Sequence, residues 1–219
     1  MDVRIPPAPP EGLGPLARVV AKIVGGATHG EPPRVFTTLG RHRGLFRTWL
    51  PFAGTLLLRT CLPRADVELV VLRTACNCSA PYEWVQHVPL ARKAGLRAEV
   101  IAAVPAWQQH EALSSRQRLL LAATDELHAH RIVSQTTWDQ LTCVLDELQV
   151  IELCMLVGHY EMVAMTLNSL GVQSEPRAEA GLDASARQTA DGLTATRDAF
   201  AAEPGDHLPS EAPATRPSP

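Results

Sequence analysis

From about residue 19 to residue 170, large apolar residues recur every three or four positions, and no segment sustains alternation by two. The first spacing marks one face of a helix and the second would mark a strand, so the pattern predicts an all-α chain without a sheet. Val19–Val24 is a short apolar stretch closed by Gly25 and Gly26. Arg43–Leu58 carries Leu45, Phe46, Trp49, Leu50 and Phe52 at helical spacing, with Pro51 among them. Asp66–Cys76 follows Pro63, and Ala80–Ala94 begins at Pro81, which suits a first helical turn, and stops before Gly95. Arg97–Val104 is short. Ser114 with Gln117 reads as a capping box opening a helix through Leu119, Leu120, Ala123 and Leu127. Ser134 caps another, with Trp138, Leu141 and Leu145, and Gln149–Leu170 is the longest and most apolar, ending at Gly171. Short connections between such helices predict a bundle.

Outside this core the pattern fades. Residues 1–15 are proline-rich and read as a disordered arm, and residues 16–173 as the helical domain. Residues 174–219, rich in Pro, Ala and Glu, read as a disordered tail, with only a weak helix around Asp183–Ala202 that lacks a strong apolar face. A chain of 219 residues with net charge −3 has no basic field for nucleic acid or an anionic membrane. No run of about 20 apolar residues predicts a membrane span, and Met1–Pro10 lacks a signal-type apolar run, so a cytoplasmic protein is expected. The five cysteines are odd in number and irregularly spaced, unlike a disulfide framework.

The chemistry concentrates between Val67 and His87. Glu83 and His87 are four residues apart on one predicted helix, with Cβ atoms about 5–6 Å apart. Glu68 comes from the preceding helix and joins them if the Cys76–Ala80 turn folds the two helices together. Two carboxylates and an imidazole are the parts of a general acid–base site. His87 is then the proton donor or acceptor, Glu83 its orienting or second acid–base group, and Glu68 the tuning group. Tyr82 is a candidate to hydrogen-bond a substrate, and Arg73, Arg64 and Arg92 to hold its carboxylate. Glu126 and His130 repeat the same spacing, with His128 between them, and read as structural at a helix end. Cys61, Cys143 and Cys154 read as small buried apolar residues. Cys76-Asn-Cys78 is the alternative, thiol-based chemistry. No Cys/His set predicts a metal. Trp84, Trp107 and Trp138 read as core or interface anchors.

At these residues the sequence resembles the carboxymuconolactone decarboxylase and alkylhydroperoxidase D superfamily. The matching words are Leu62-Pro-Arg-Ala-Asp-Val-Glu68, Leu72-Arg73, Tyr82-Glu-Trp-Val-Gln-His87, Ala94-Gly-Leu96, Thr124-Asp-Glu-Leu-His128 and Val157-Gly-His-Tyr160. The resemblance spans roughly residues 30–173. It implies an AhpD-like helical subunit forming a homo-oligomer (trimer, hexamer or dimer). The family's glutamate and histidine fall on Glu68 and His87, but its two redox cysteines fall on Ala80 and Glu83. That departure points away from a dithiol peroxidase and toward the decarboxylase branch, which implies no metal or organic cofactor. The expected activity is a lyase-type proton transfer or decarboxylation on a small organic acid, lactone or β-dicarbonyl-like substrate. Thiol-dependent peroxidase activity through Cys76 and Cys78 and a non-catalytic oligomeric binding role are the alternatives.

Overall fold

The computed structural model describes residues 1–27 and 32–203. The helices are α1 (Pro15–Ala27), α2 (Arg34–Leu39), α3 (Arg43–Leu58), α4 (Arg64–Asn77), α5 (Pro81–Lys93), α6 (Ala98–Ala103), α7 (Ser115–His130), α8 (Gln135–Thr142), α9 (Glu147–Leu170), α10 (Pro176–Ala180) and α11 (Ala184–Ala202). No strand occurs among the described residues, so the all-α prediction holds.

Helix α4 is the axle of the bundle. Its apolar residues go all the way round, which is the signature of a helix buried on every side. Leu69, Leu72 and Ala75 pack with Trp84, Val88 and Ala91 of α5, together with residues of α6, α7 and α11. Val67, Val70 and Val71 pack with Leu120 and Ala123 of α7 and with Leu153, Leu156 and Tyr160 of α9. Pro63 precedes α4 and Pro81 opens α5. Between them Ser79 takes φ +46°, and the Ala80 N–H donates to the Ala75 carbonyl, which reverses the chain tightly. This turn makes α4 and α5 a helical hairpin, the condition the sequence set for joining Glu68 to His87.

The caps read from sequence are present. Ser114 and Gln117 form the capping box of α7, Ser134 caps α8, and Gly171 ends α9 at φ +68°. A Cβ at Gly171 would meet the Asp2 carbonyl oxygen at 2.4 Å. The N-terminal arm passes there, with the Arg4 and Ile5 N–H groups donating to the Leu170 carbonyl. Residues expected to be a disordered arm therefore hold a defined path, with Ala8 and Leu13 buried. A second correction concerns residues 174–202. Helices α10 and α11 form, and Leu182, Ala186 and Ala190 join the core around α5. The Trp84 indole N–H donates to the Ala186 carbonyl at 2.9 Å, and Asp183 caps α11. Alanines at helical spacing let α11 approach closely without the large apolar face that the pattern reading required. The remainder of the expected tail, 204–219, lies outside the described residues.

Helix α9 is, among the described residues, the one helix long and apolar enough to cross a membrane by length and composition, and half of that stretch is buried inside the fold. The prediction of no such stretch is corrected to that extent. Its other side leaves Leu148, Ile151, Met155, Met162 and Met165 exposed.

Candidate active site

Glu68 sits on the buried axle with no exposed surface. A carboxylate there needs partners, and it has two. The Arg64 guanidinium, one turn earlier, donates to Oε1, and His87 Nδ1 lies 2.7 Å from Oε2. A carboxylate only accepts, so the imidazole donates from Nδ1 and keeps Nε2 for chemistry. The His87 ring is itself buried and meets Tyr160 of α9 edge-on, with centroids 5.1 Å apart. His159 packs edge-on against Tyr160 at 5.2 Å, and its ring lies between Trp49 and Phe52 of α3. Burial, aided by the charge at His87, lowers His159 to about 4, so it is a neutral imidazole near pH 7. Burial first, then the Glu83 and Glu68 charges, hold the Tyr160 phenol well above its usual range.

Glu83 lies in the first turn of α5 and is 2 % exposed, with neither carboxyl oxygen hydrogen-bonded. Burial raises it well above the usual carboxylate range, which favours its protonated form. The expectation that Glu83 orients His87 is thereby corrected. Glu68 orients the imidazole across the hairpin, and Glu83 stands as an unspent proton on the same helix. Two buried ring nitrogens, Trp49 Nε1 and His159 Nδ1, also lack hydrogen-bond partners.

Other expected residues are engaged elsewhere. The Tyr82 hydroxyl accepts from the Val35 N–H at 3.0 Å and donates to Glu175 at 3.2 Å. Arg73 forms a forked pair with Asp125 and donates to the Val104 and Pro105 carbonyls. Burial alone would raise Asp125, but hydrogen bonds from Arg73, Asn77 and Trp107 outweigh it and lower the carboxyl. Arg92 pairs with Asp183, which leaves Arg64, about one-third exposed, as the arginine beside the imidazole. Burial pushes the Cys76 and Cys78 thiols up to about 12, which withholds the thiolate that redox chemistry needs. Cys61 and Cys143 are exposed, contrary to their reading as buried residues. Trp84 is fully buried as expected, but Trp138 is 43 % exposed. Glu126 is structural as expected, accepting from Ser134 and Thr137 at the start of α8.

Sequence reasoning missed Tyr160 and His159 beside His87, and Trp49 and Phe52 against His159. It also missed a second cluster, in which His128 Nδ1 lies 2.8 Å from Glu161 Oε1 and 4.0 Å from Cys78 Sγ. A solvent-open cleft of about 280 Å³, lined in part by Gly14, Arg43, Phe46 and Arg47, shares no residue with either cluster.

The sequence model of the carboxymuconolactone decarboxylase family matches residues 43–126, which contain Glu68, Glu83 and His87. No curated protein sequence matches the chain. Among solved structures, the AhpD core of a peroxidase-related protein from Ralstonia eutropha JMP134 superposes with a TM-score of 0.73 at 18 % identity, covering 81 % of this chain and 95 % of that one. A peroxidase-related protein from Silicibacter sp. TM1040 gives 0.70 at 13 % identity, covering 81 % and 92 %. A variant of the debrominase Bmp8 in complex with 2,3,4-tribromopyrrole gives 0.69 at 15 % identity, covering 88 % and 98 %. At such identities these likenesses speak to fold alone. The chain is thus similar to the carboxymuconolactone decarboxylase family over α3 to α7, and its fold is similar to that of AhpD-like proteins.

Proposed function

We propose that this protein is a cofactor-independent acid–base enzyme that decarboxylates, or moves a proton on, a small organic acid or lactone acid. One observation carries the reading: a buried carboxylate, braced by Arg64, holds His87 through Nδ1 so that Nε2 is the reactive nitrogen. Glu83, whose carboxyl burial holds well above its usual range, lies one helical turn before it. The pairing of a carboxylate-held imidazole with a buried protonated acid separates the two roles by environment.

In this mechanism the outer edge of the Arg64 guanidinium receives the substrate carboxylate. As the C–C bond to that carboxylate breaks, its electron pair moves toward the neighbouring carbonyl and carbon dioxide leaves. His87, acting as an imidazolium with Nδ1–H held by Glu68, donates a hydrogen bond from Nε2–H to the developing enolate oxygen, and Glu83 delivers the proton that ends on carbon. The product is released once solvent has returned a proton to Glu83. The Tyr160 ring, edge-on against His87, shields the step from water on that side.

A panel of β-keto acids and unsaturated lactone carboxylates, scored by carbon dioxide release, tests the proposal. His87→Ala should lower turnover of an accepted substrate by about 10²–10⁴-fold with the helical circular dichroism intact. An unchanged rate rejects the assignment of His87. Hydroperoxide-dependent loss of free thiols at Cys76 and Cys78 would favour peroxidase chemistry instead.

A further inference from the structure

Cys78, His128 and Glu161 come from three helices and take no part in the proposed reaction. Each offers one ligand atom, and the three atoms lie within 4.8 Å of one another. The geometry points to a binding site for a late first-row divalent cation of the Zn²⁺ type, held by Cys78 Sγ, His128 Nδ1 and one oxygen of Glu161. This inference does not rest on the acid–base reading.

Donor chemistry is the first argument. Thiolate, imidazole and carboxylate together form a set suited to zinc and unsuited to magnesium or calcium, which prefer oxygen alone. Three protein ligands leave the fourth tetrahedral position to water, and all three residues are half-buried, so solvent has access. Charge is the second argument, because one thiolate and one carboxylate neutralise a dication. Cys78 is the C-cap residue of α4, and His128 lies in the last turn of α7. Two helix C-termini thus turn their negative ends toward the same point.

The fit is close. Tetrahedral zinc at ordinary bond lengths sets N···S at about 3.5 Å and N···O at about 3.3 Å. The present separations are 4.0 Å for Cys78 to His128 and 2.8 Å for His128 to Glu161, so each adjusts by about half an ångström. On binding, the thiol proton leaves to solvent as the sulfur–metal bond forms, and the imidazole proton resides on Nε2. Arg131 approaches Glu161 at 3.5 Å, but its side chain is 69 % exposed and can withdraw into water. The ligand-bearing turn is braced from behind: Asn168 Nδ2 donates to the Cys78 carbonyl at 3.0 Å and to that of Ser79 at 3.2 Å.

Titration of the metal-free full chain with Co²⁺ provides the test. We expect one ion per chain and a near-ultraviolet thiolate-to-cobalt charge-transfer band, bleached by added Zn²⁺. The band should vanish in Cys78→Ser and persist in Cys76→Ser. Absence of the band in the wild type, or its survival in Cys78→Ser, overturns the site. A measurement on the wild type alone guards against a poorly folded variant. Zn²⁺ should slow iodoacetamide labelling of Cys78 at least tenfold while leaving exposed Cys143 unaffected, and equal labelling with and without Zn²⁺ also overturns the site.

Discussion

Replacing Glu83 with Gln should make the protein more stable, and increasingly so as pH rises. The side chain is buried with no hydrogen-bond partner, and burial raises it well above its ordinary value of 4.5. The sign follows from linkage. Above pH 4.5 the unfolded chain gives up the Glu83 proton, whereas the native chain keeps it. The unfolded state therefore gains free energy that the native state does not share, and stability falls as pH climbs, by about 1.4 kcal/mol per pH unit while the native carboxyl stays protonated. An amide has nearly the same shape and is equally unpaired in that place, so the cost of burying a polar group is largely unchanged. What Glu83→Gln removes is ionisation in the unfolded chain. The stability difference between variant and wild type should grow as pH rises above 4.5, by at most about 1.4 kcal/mol per pH unit, and level off where the native carboxyl itself ionises. Urea unfolding followed by far-ultraviolet circular dichroism at pH 5, 6 and 7 measures it. A difference that stays flat across that range would mean that the native carboxyl is ionised, and the argument for a buried acid would be refuted. If Glu83 also supplies the proton in catalysis, the same variant should lose turnover, a trade of activity for stability.

His159 acts in a different window and through the opposite proton balance. Its folded-state value of about 4 lies below its ordinary 6.5, so the unfolded chain protonates first and stability declines as pH drops from 6.5 toward 4, by on the order of 3 kcal/mol in all; His159→Gln should flatten that acid limb in the same unfolding assay. Trp84→Phe keeps the buried ring but removes the donor to the Ala186 carbonyl, and should cost about 1–3 kcal/mol by chemical unfolding, with earlier loss of hydrogen-exchange protection in α11. The exposed stripe Leu148, Ile151, Met155, Met162 and Met165 repeats in alternating steps of three, four and seven along α9, with Gly158 completing the heptad positions, and a second copy of the chain is its expected cover. Light scattering should then show a smaller assembly for the Met155→Glu, Met162→Glu double variant than for the wild type, and identical masses would dismiss that face as the contact.

How far the residues announced this arrangement depends on the range of the interaction. Ser114, Ser134, Pro81 and Gly171 mark helix ends by local chemistry, and all four stand where their residue types place them. The Glu68–His87 contact was readable from a short turn and from family resemblance. Its orientation was not, because the spacing from Glu83 to His87 says that they share a helix face but not which carboxylate meets the ring from across the bundle. The partners of Tyr82 and Arg73, Glu175 and Asp125, were not readable because they are remote in sequence. Tyr160 and His159 lie in a helix so apolar on every side that no inner face stands out. The Tyr-Glu pair at 82–83 recurs at 160–161, and the second copy carries the groups beside His87 and His128. Helix α11 escaped notice because alanine carries little apolar weight in a pattern while fitting closely against a neighbour.

The reactive imidazole and its carboxylate are carried on the helical hairpin at the heart of the bundle, while the aromatic rings around them come from two flanking helices. Substitution on the hairpin disturbs nearly everything it touches, so adaptive change has little room there. On the outer helix α3, Trp49 meets His159 while also packing against Phe36 and Phe46, whereas Phe52 meets His159 from a part-exposed position. Under the proposed acid–base reading, change at Phe52 would alter the surroundings of His159 with little disturbance to the Glu68–His87 pair on the hairpin.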